Sequence, residues 1–342
     1  MFLENQNSPS IFACFLHTTF KKGLLYAKPP PEDCGENLIY NTLERLKKSL
    51  SVALLHFYPL AATDISVSDI VSPTYVPLVV QLFFDHDRAI NYDGRTRPLL
   101  SIQVTELVDG VFIGCSMNHA IGDGTSFWHF FNTLSQIFQS QEDNIKISRP
   151  PVFERWFPEG YGPLLKLPFT CQEEFISRYE APQLLERIFH FSTESIAKLK
   201  ERANTKYKTT KISSFQSLSA FVWRAITRAR RFPSEMASGC RLAINNRDKS
   251  VRDFVNDWVG SPSVSPPQIV AMGSSPRFNK YGNEFGLGKA LTLRCGYANK
   301  FDGKVSSYPG REGGASIDLE VCLPPCSMDA LESDEEFMAS VT

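Results

Sequence analysis

The chain has 342 residues, enough for two domains of ordinary size. Its 36 basic and 37 acidic residues give a formal net charge of -1, so the sequence lacks the basic field that nucleic-acid binding requires. Hydrophobic residues make up 42% of the chain and charged residues 21%, a composition that favours a folded core over disorder.

The N-terminal region lacks the features of a secretory signal peptide. Glu4 stands where such a peptide has basic residues, and the apolar stretch at residues 11–16 is short. No apolar run approaches the length of a membrane-spanning helix. The eight cysteines include no CxxC pair, which indicates reduced thiols and not a zinc site. We therefore expect a cytoplasmic protein without a membrane partner.

The first half of the chain contains a strand–turn–helix pattern. Residues 38–55 show the helical spacing of apolar positions. Residues 99–118 predict a β-hairpin, because two strand-like segments flank Asp109-Gly110, a strong turn signal. Residues 125–138 predict a buried, aromatic-rich helix. His119 is therefore expected in the turn between the second strand and this helix.

A proline-rich stretch at residues 141–171 predicts a connection into a second domain. That domain is expected to open with a strand near Arg187, followed by a helix from Ser192 and another from Ser213, whose capping box includes Gln216. Further strands are expected at residues 291–297, 303–308 and 315–323, with a last helix from Met328. This mixture, without strict alternation, predicts an α+β fold with mixed sheets.

The segment with the clearest chemistry is Asn118–Gly124, in which His119 and Asp123 lie four residues apart. Gly122 and Gly124 break regular structure there. The free pKa of histidine lies close to neutral, so this side chain suits proton abstraction at cellular pH. The same residues also allow another interpretation, a turn histidine beside an aspartate that caps the following helix.

Two segments of the sequence contain residues that could bind a cation. His119, Asp123 and His129 could form a metal triad, but the intervening glycines and the aromatic helical setting of His129 favour a packed histidine. The acid-rich segment Asn91-Tyr92-Asp93-Gly94 has its glycine at the wrong position for an EF-hand loop. No metal is expected.

Five segments of the sequence, one of them the segment that contains His119, resemble motifs of the BAHD, or HXXXD-type, acyltransferase family. The resemblance covers nearly the whole chain and lies closest to plant proteins described only as uncharacterized acetyltransferases. The matching segments occur in the family's order: His56–Ala61 (HFYPLA), His119–Gly124 (HAIGDG), Ser214–Trp223 (SFQSLSAFVW), Asn245–Arg247 (NNR) and Glu284–Gly288 (EFGLG), the last in the place of the family's DFGWG motif.

The resemblance implies two chloramphenicol-acetyltransferase-like domains with mixed β-sheets and flanking helices, at residues 1–180 and 181–342. A channel would run between them, with acyl-CoA as co-substrate entering from one face and a small plant metabolite from the other. His119 would take the proton from an acceptor hydroxyl or amine. The expected state is a monomer.

The arginines near the end of the helix from Ser213 are expected to form a solvated face, with contact to CoA phosphates as an alternative: Arg224, Arg228, Arg230 and Arg231.

The resemblance also assigns the site residues. His119 and Asp123 are the candidate catalytic pair, and Asp123 would pair with Arg247 to hold the histidine loop. Gly122, Gly124 and Arg247 would support the site. The DFGWG-like motif would be mainly structural, with a proposed part in CoA binding: Glu284, Phe285, Gly286 and Gly288.

Glu284 and Leu287 replace the aspartate and tryptophan of the DFGWG motif. The family's pattern is also shortened at the N-terminus, after Ala62 and after Asp248. The sequence therefore leaves two functions open. One is an active acyltransferase, and the other is a truncated, catalytically impaired relative that binds CoA, a metabolite or a partner.

Overall fold

The computed structural model describes residues 19–27, 42, 45–46, 61–62, 64–140, 147, 149–153, 182–231, 270–273, 278–297 and 300–342. Most of the predicted helix at 38–55, most of the proline-rich connection and the Asn245–Arg247 match lie outside these residues.

The first sheet is mixed and has the strand order β2-β3-β4-β1-β7. Among the described strands of this sheet, β2 pairs in parallel with β3 and the other pairings are antiparallel. The predicted hairpin is confirmed, since β3 and β4 pair around Asp109. The strands of this sheet are β1 Thr19–Ala27, β2 Ala61–Ala62, β3 Leu100–Glu106, β4 Gly110–Asn118 and β7 Thr292–Cys295.

The second sheet is also mixed, in the order β5-β9-β8-β6, with β6 parallel to β8. Its strands are β5 Leu185–Phe191, β6 Ala271–Gly273, β8 Lys304–Pro309 and β9 Ile317–Leu323. The two mixed sheets with their helices confirm the α+β prediction.

The helices are close to their predicted positions, and the capping box of Ser213 and Gln216 is present. The helix expected from Met328 begins earlier, at Pro325. Proline is tolerated there because the first helical residue has no intrahelical partner for its N–H. Among the described residues, no helix has the length and apolar character needed to cross a membrane. The helices are α1 Val67–Val71, α2 Gly124–Gln139, α3 Thr193–Lys206, α4 Ser214–Ala229, α5 Pro325–Glu332 and α6 Glu335–Met338, with 3₁₀ helices at Leu78–Phe83 and Asn91–Arg95.

The first sheet has a hydrophobic cluster on each face, and the second sheet has one of its own. The cluster between the first sheet and α2, the first core, also includes Tyr308 of β8. The helix α2 packs its aromatic face on one side of the first sheet, and the 3₁₀ helix Leu78–Phe83 covers the other side. Every residue of β4 is therefore buried. The second sheet packs against α3, α4, α5 and α6. As a result, the turn that follows β4 starts from a strand that is buried on both faces.

One segment from the C-terminal half belongs structurally to the first sheet. The strand β7 pairs with β1, with Cys295 opposite Lys22, and the apolar residues Phe285, Leu287 and Leu293 lie in the first core. This segment lies on the C-terminal side of the division expected at residue 180, which stays a prediction. Sequence pattern can show that a strand is present, but it does not show which sheet the strand joins.

Candidate active site

His119 directly follows β4 and is half-buried. The turn is organised by Asn118. Its backbone N–H donates to the carbonyl of Leu99 (2.8 Å), and its side-chain oxygen accepts from the N–H of Ala120 (3.0 Å). The carbonyl of Asn118 also accepts from the N–H of Ile121 (3.2 Å). These bonds fix the backbone on both sides of His119.

Gly122 is required by the close approach of the turn to α2. A Cβ atom at Gly122 would lie 2.8 Å from the Cβ of Ser126 and 3.4 Å from the Cε of Met117. The Cβ of Ser126 cannot rotate away, so any larger residue would displace the turn. Gly124 is the first residue of α2. Both predicted glycines therefore lie where the chain changes from turn to helix.

Asp123 is the N-cap of α2. Its Oδ1 accepts hydrogen bonds from the backbone N–H (2.8 Å) and from the hydroxyl (2.9 Å) of Ser126. Burial acts to raise the pKa of Asp123, but the hydrogen bonds from Ser126 and Thr125 lower it below the ordinary carboxyl value. The carboxylate is ionised at a helix N-terminus, where negative charge is favourable. This is the helix-cap interpretation; Arg247 lies outside the described residues.

The cap leads to a prediction on stability. Asp123→Ala should lower the free energy of unfolding by about 1 kcal/mol, and Asp123→Ser, which keeps a capping oxygen, by less. Because the folded-state pKa is lowered, this contribution is present above the unfolded pKa and is lost as pH falls through the folded pKa. Urea unfolding at neutral pH and at about pH 3 measures both effects. A difference between wild type and Asp123→Ala that is independent of pH would contradict the assignment.

The surroundings of His119 favour the neutral imidazole. Burial lowers the pKa of His119, while hydrogen bonding with the backbone of His119 and Gly122 and the charge of Asp123 act to raise it. The net pKa lies below the ordinary value for histidine. At neutral pH the ring therefore carries a lone pair that can accept a proton.

A residue of the second sheet also affects the pKa of His119. Lys304, the first residue of β8, contributes a positive charge that lowers the pKa of His119. Its Nζ lies 2.8 Å from the position of a Cβ at Gly273, so the glycine of the neighbouring strand leaves room for the lysine. No sequence pattern indicates this role of Lys304, because the effect of its charge on His119 depends on how the two sheets pack.

Described residues line at least two cavities. One of about 10 Å³ lies beside Ser116 and Asn118, immediately before His119. The other, of about 450 Å³, is lined by α3, the start of α4 and Ala315. His119 lines neither of them, and the channel between the two domains stays a prediction.

The metal triad considered from the sequence does not form. In the part of the chain that the structure describes, one set of three potential metal ligands lies close together: Glu186, Glu320 and Cys322. The ammonium group of Lys300 bonds to both carboxylates there, at 2.8 Å from Glu320. Burial would lower the pKa of Lys300, but Glu320 and Glu186 raise it well above its ordinary value. This cluster is best described as a buried ion pair with an additional carboxylate.

Three of the four arginines at the end of α4 form ion pairs: Arg224, Arg228 and Arg230. Arg228 pairs with Asp334 at 2.6 Å, and Arg224 lies 3.6 Å from Glu336. Arg230 was expected on a solvated face, but its side chain is only 1% exposed and pairs with Asp302 at 2.5 Å. That expectation is therefore wrong for Arg230, because the Asp302 carboxylate satisfies the guanidinium inside the fold.

The EFGLG segment packs on the C-terminal half of α2. The backbone N–H of Glu284 donates to the hydroxyl of Ser135 (2.9 Å), and the ring of Phe285 is fully buried. Gly286 and Gly288 have φ values of +74° and +75°, a conformation that side chains rarely adopt. Leu287, in the place of the family's tryptophan, is 5% exposed in the same core. The contacts of this segment are structural, and they hold the helix that begins at the candidate site.

A family model described as the Transferase family matches residues 61–261 and 257–338. A BAHD acyltransferase of Arabidopsis thaliana, DCR, is 31% identical over 82% of this chain and 70% of its own length. The chain belongs to the BAHD acyltransferase family. An uncharacterized acetyltransferase of the same plant, At3g50280, is 28% identical over 410 aligned positions, which cover 93% of this chain and 90% of the relative.

Solved structures of BAHD-type fold match as well. Vinorine synthase superposes with a TM-score of 0.68 at 15% identity, covering 100% of this chain and 94% of its own. TRI101 of F. sporotrichioides, solved with coenzyme A and T-2, gives a TM-score of 0.66 at 15% identity, with 96% of each chain covered. These matches confirm the chloramphenicol-acetyltransferase-like fold predicted for this BAHD protein.

Proposed function

We propose that this chain transfers an acyl group from an acyl-CoA thioester to a hydroxyl or amine of a small plant metabolite, with His119 as general base. The observation that carries the proposal is a half-buried imidazole of lowered pKa, held at the end of β4 within the HAIGDG segment. Membership of the family supports the reaction class, and the coenzyme A named in the TRI101 structures supports acyl-CoA as co-substrate.

The proposed reaction has two steps. The acceptor oxygen or nitrogen attacks the thioester carbonyl carbon while His119 takes its proton, which gives a tetrahedral oxyanion and an imidazolium. The carbon–sulfur bond then breaks, the imidazolium protonates the departing CoA thiolate, and the ester or amide is released. His119 returns to its neutral form, and no covalent enzyme intermediate is required.

In this proposal Asp123 supports the base without touching substrate. Its carboxylate is committed to the N-terminus of α2, and its charge raises the pKa of His119 only as a secondary influence. Gly122, Gly124 and Arg247 would keep the turn in shape. Glu284, Phe285, Gly286 and Gly288 would hold α2 from its far end. No residue is assigned to CoA.

Release of CoA thiol tests the function directly. The purified chain would be mixed with acetyl-CoA, a fatty acyl-CoA or an aromatic acyl-CoA, and with alcohol, phenol and amine acceptors. We expect thiol release that depends on the acceptor and a product whose mass equals acceptor plus acyl group. Thiol release no faster than in buffer for every pair would oppose the proposal.

The alternative is a relative that binds CoA, a metabolite or a partner but does not catalyse transfer. The alignment with the At3g50280 protein spans 410 positions, more than the 342 residues of this chain. That relative therefore contains internal residues without a counterpart here, which favours the alternative. Isothermal titration with CoA separates the two functions. Heat of binding together with no thiol release would favour the alternative.

A further inference from the structure

The turn that bears His119 is held by a second loop, the 3₁₀ helix Asn91–Arg95. The side-chain oxygen of Asn91 accepts a hydrogen bond from the backbone N–H of His119 (2.9 Å). The backbone oxygen of the same residue accepts from the side-chain amide of Asn118 (2.7 Å). A single residue therefore binds both the backbone of the candidate base and the residue before it.

These contacts are shielded from water. Asn91 is 4% exposed and Asn118 is 7% exposed. A hydrogen bond between buried polar groups is costly to break, because the separated donor and acceptor cannot be solvated. Asn118 in turn accepts from the N–H of Ala120 (3.0 Å), so the two carboxamides hold the backbone before and after His119.

The supporting loop is itself well fixed. The N–H of Ile90 donates to the carboxylate of Asp93 (3.1 Å), and the N–H of Asp93 donates to the carbonyl of Ile90 (3.0 Å). Gly94 permits close approach, since a Cβ there would lie 2.5 Å from the Nδ2 of Asn118. The segment Asn91–Gly94, one of the possible cation sites in the sequence, therefore supports the turn that bears His119.

We infer that Asn91 is a positioning residue for the reaction: it holds the backbone of His119 so that the imidazole faces the reacting groups. The inference rests on the proposed function of His119. Asn91 acts through His119 and touches no substrate in this scheme. Proton transfer depends on geometry within a fraction of an ångström, and a displacement of about 1 Å can reduce the rate by about 100-fold.

Two substitutions separate positioning from general damage. Asn91→Ala removes the acceptor for the His119 N–H, and we expect kcat to fall about 10- to 100-fold while the KM for acyl-CoA changes little. Asn91→Asp keeps an oxygen in the same place. The Nδ2 of Asn91 has no hydrogen-bond partner among the described residues, so its loss breaks no described bond. Asn91→Asp should therefore recover part of the rate, measured at a pH where His119 is neutral. Recovery should be incomplete, because a carboxylate at this buried position is poorly solvated.

A second measurement does not depend on activity. Diethylpyrocarbonate modifies neutral imidazole, and mass spectrometry of the peptide that contains His119 gives the rate of modification at this one residue. In Asn91→Ala the rate at His119 should change by several-fold relative to wild type and return towards it in Asn91→Asp. Asn204→Ala is the matched control, because Asn204 makes comparable hydrogen bonds to Lys200 and Ile212. Asn204 lies on α3, which packs against the second sheet.

The outcomes distinguish the role of Asn91 from the proposed function of His119. No thiol release from wild type, together with altered His119 modification in Asn91→Ala, would remove the proposed function but keep Asn91 as the residue that holds His119. Unchanged kcat and unchanged modification in a folded Asn91→Ala protein would overturn the inference. Equal changes in Asn91→Ala and Asn204→Ala would attribute the effect to general loss of stability and would also overturn it.

Discussion

His119→Ala should reduce kcat/KM for acyl transfer by about 100- to 10,000-fold, the usual contribution of a positioned general base. Without the imidazole, the acceptor must lose its proton to water during attack on the thioester. The half-buried position of the ring and its lowered pKa indicate that it is neutral and ready to act at neutral pH. Initial rates of CoA thiol release measure the effect, with the acyl-CoA and acceptor concentrations varied separately.

His129→Ala is the matched control for this substitution. His129 lies in the second turn of α2, ten positions after His119, and its backbone carbonyl accepts from the hydroxyl of Thr133, a bond that does not involve the imidazole. We expect kcat/KM within a few-fold of wild type, and thermal unfolding should show that both variants fold. Rates for folded His119→Ala equal to those for His129→Ala would exclude His119 as the base.

The pH profile provides a separate check on the same residue. The reaction needs neutral His119, so kcat/KM should rise with pH through the pKa of the free enzyme and then level off. Because burial lowers this pKa, the rise should be complete by neutral pH and lie below the ordinary histidine range. A rise centred well above neutral pH would mean that another group is the base.

The local elements of the site could be predicted from the sequence because each is determined by neighbouring residues. Asp109-Gly110 specifies the turn of the hairpin, and the aromatic spacing after Gly124 specifies α2. Asp123 illustrates the limit of this reasoning. The sequence allowed both a catalytic partner and a helix cap, and the hydrogen bonds to Ser126 show the cap.

The long-range parts of the site could not be predicted, for physical reasons. Three features depend on residues that are far apart in the chain. They are the hydrogen bond between Asn91 and His119, the effect of the Lys304 charge on the pKa of His119, and the ion pair of Arg230 with Asp302. Hydrophobic periodicity determines which face of an element is buried, but it carries no information about which element packs there. The placement of β7 in the first sheet has the same cause.

Phe285→Ala should lower the free energy of unfolding by about 3–5 kcal/mol, the range for removing a fully buried phenylalanine. The ring of Phe285 lies between three aromatic neighbours, with centroids 5.6 Å from Phe131, 5.4 Å from Phe138 and 6.3 Å from Tyr26. Two of these neighbours are on α2 and one is on β1. Denaturant unfolding followed by tryptophan fluorescence would measure the loss, since Trp128 lies in the same core.

The same substitution tests whether the EFGLG segment belongs energetically to the first core. Phe153→Ala is the control, because that ring is 88% exposed and its removal should change stability by less than about 0.5 kcal/mol. Hydrogen exchange should become faster in β1, α2 and β7 of Phe285→Ala, while α4 of the second core keeps its protection. Equal loss of protection in both cores would show that they unfold as one unit. The contacts of Phe285 would then stabilise the whole chain and not the half that contains His119.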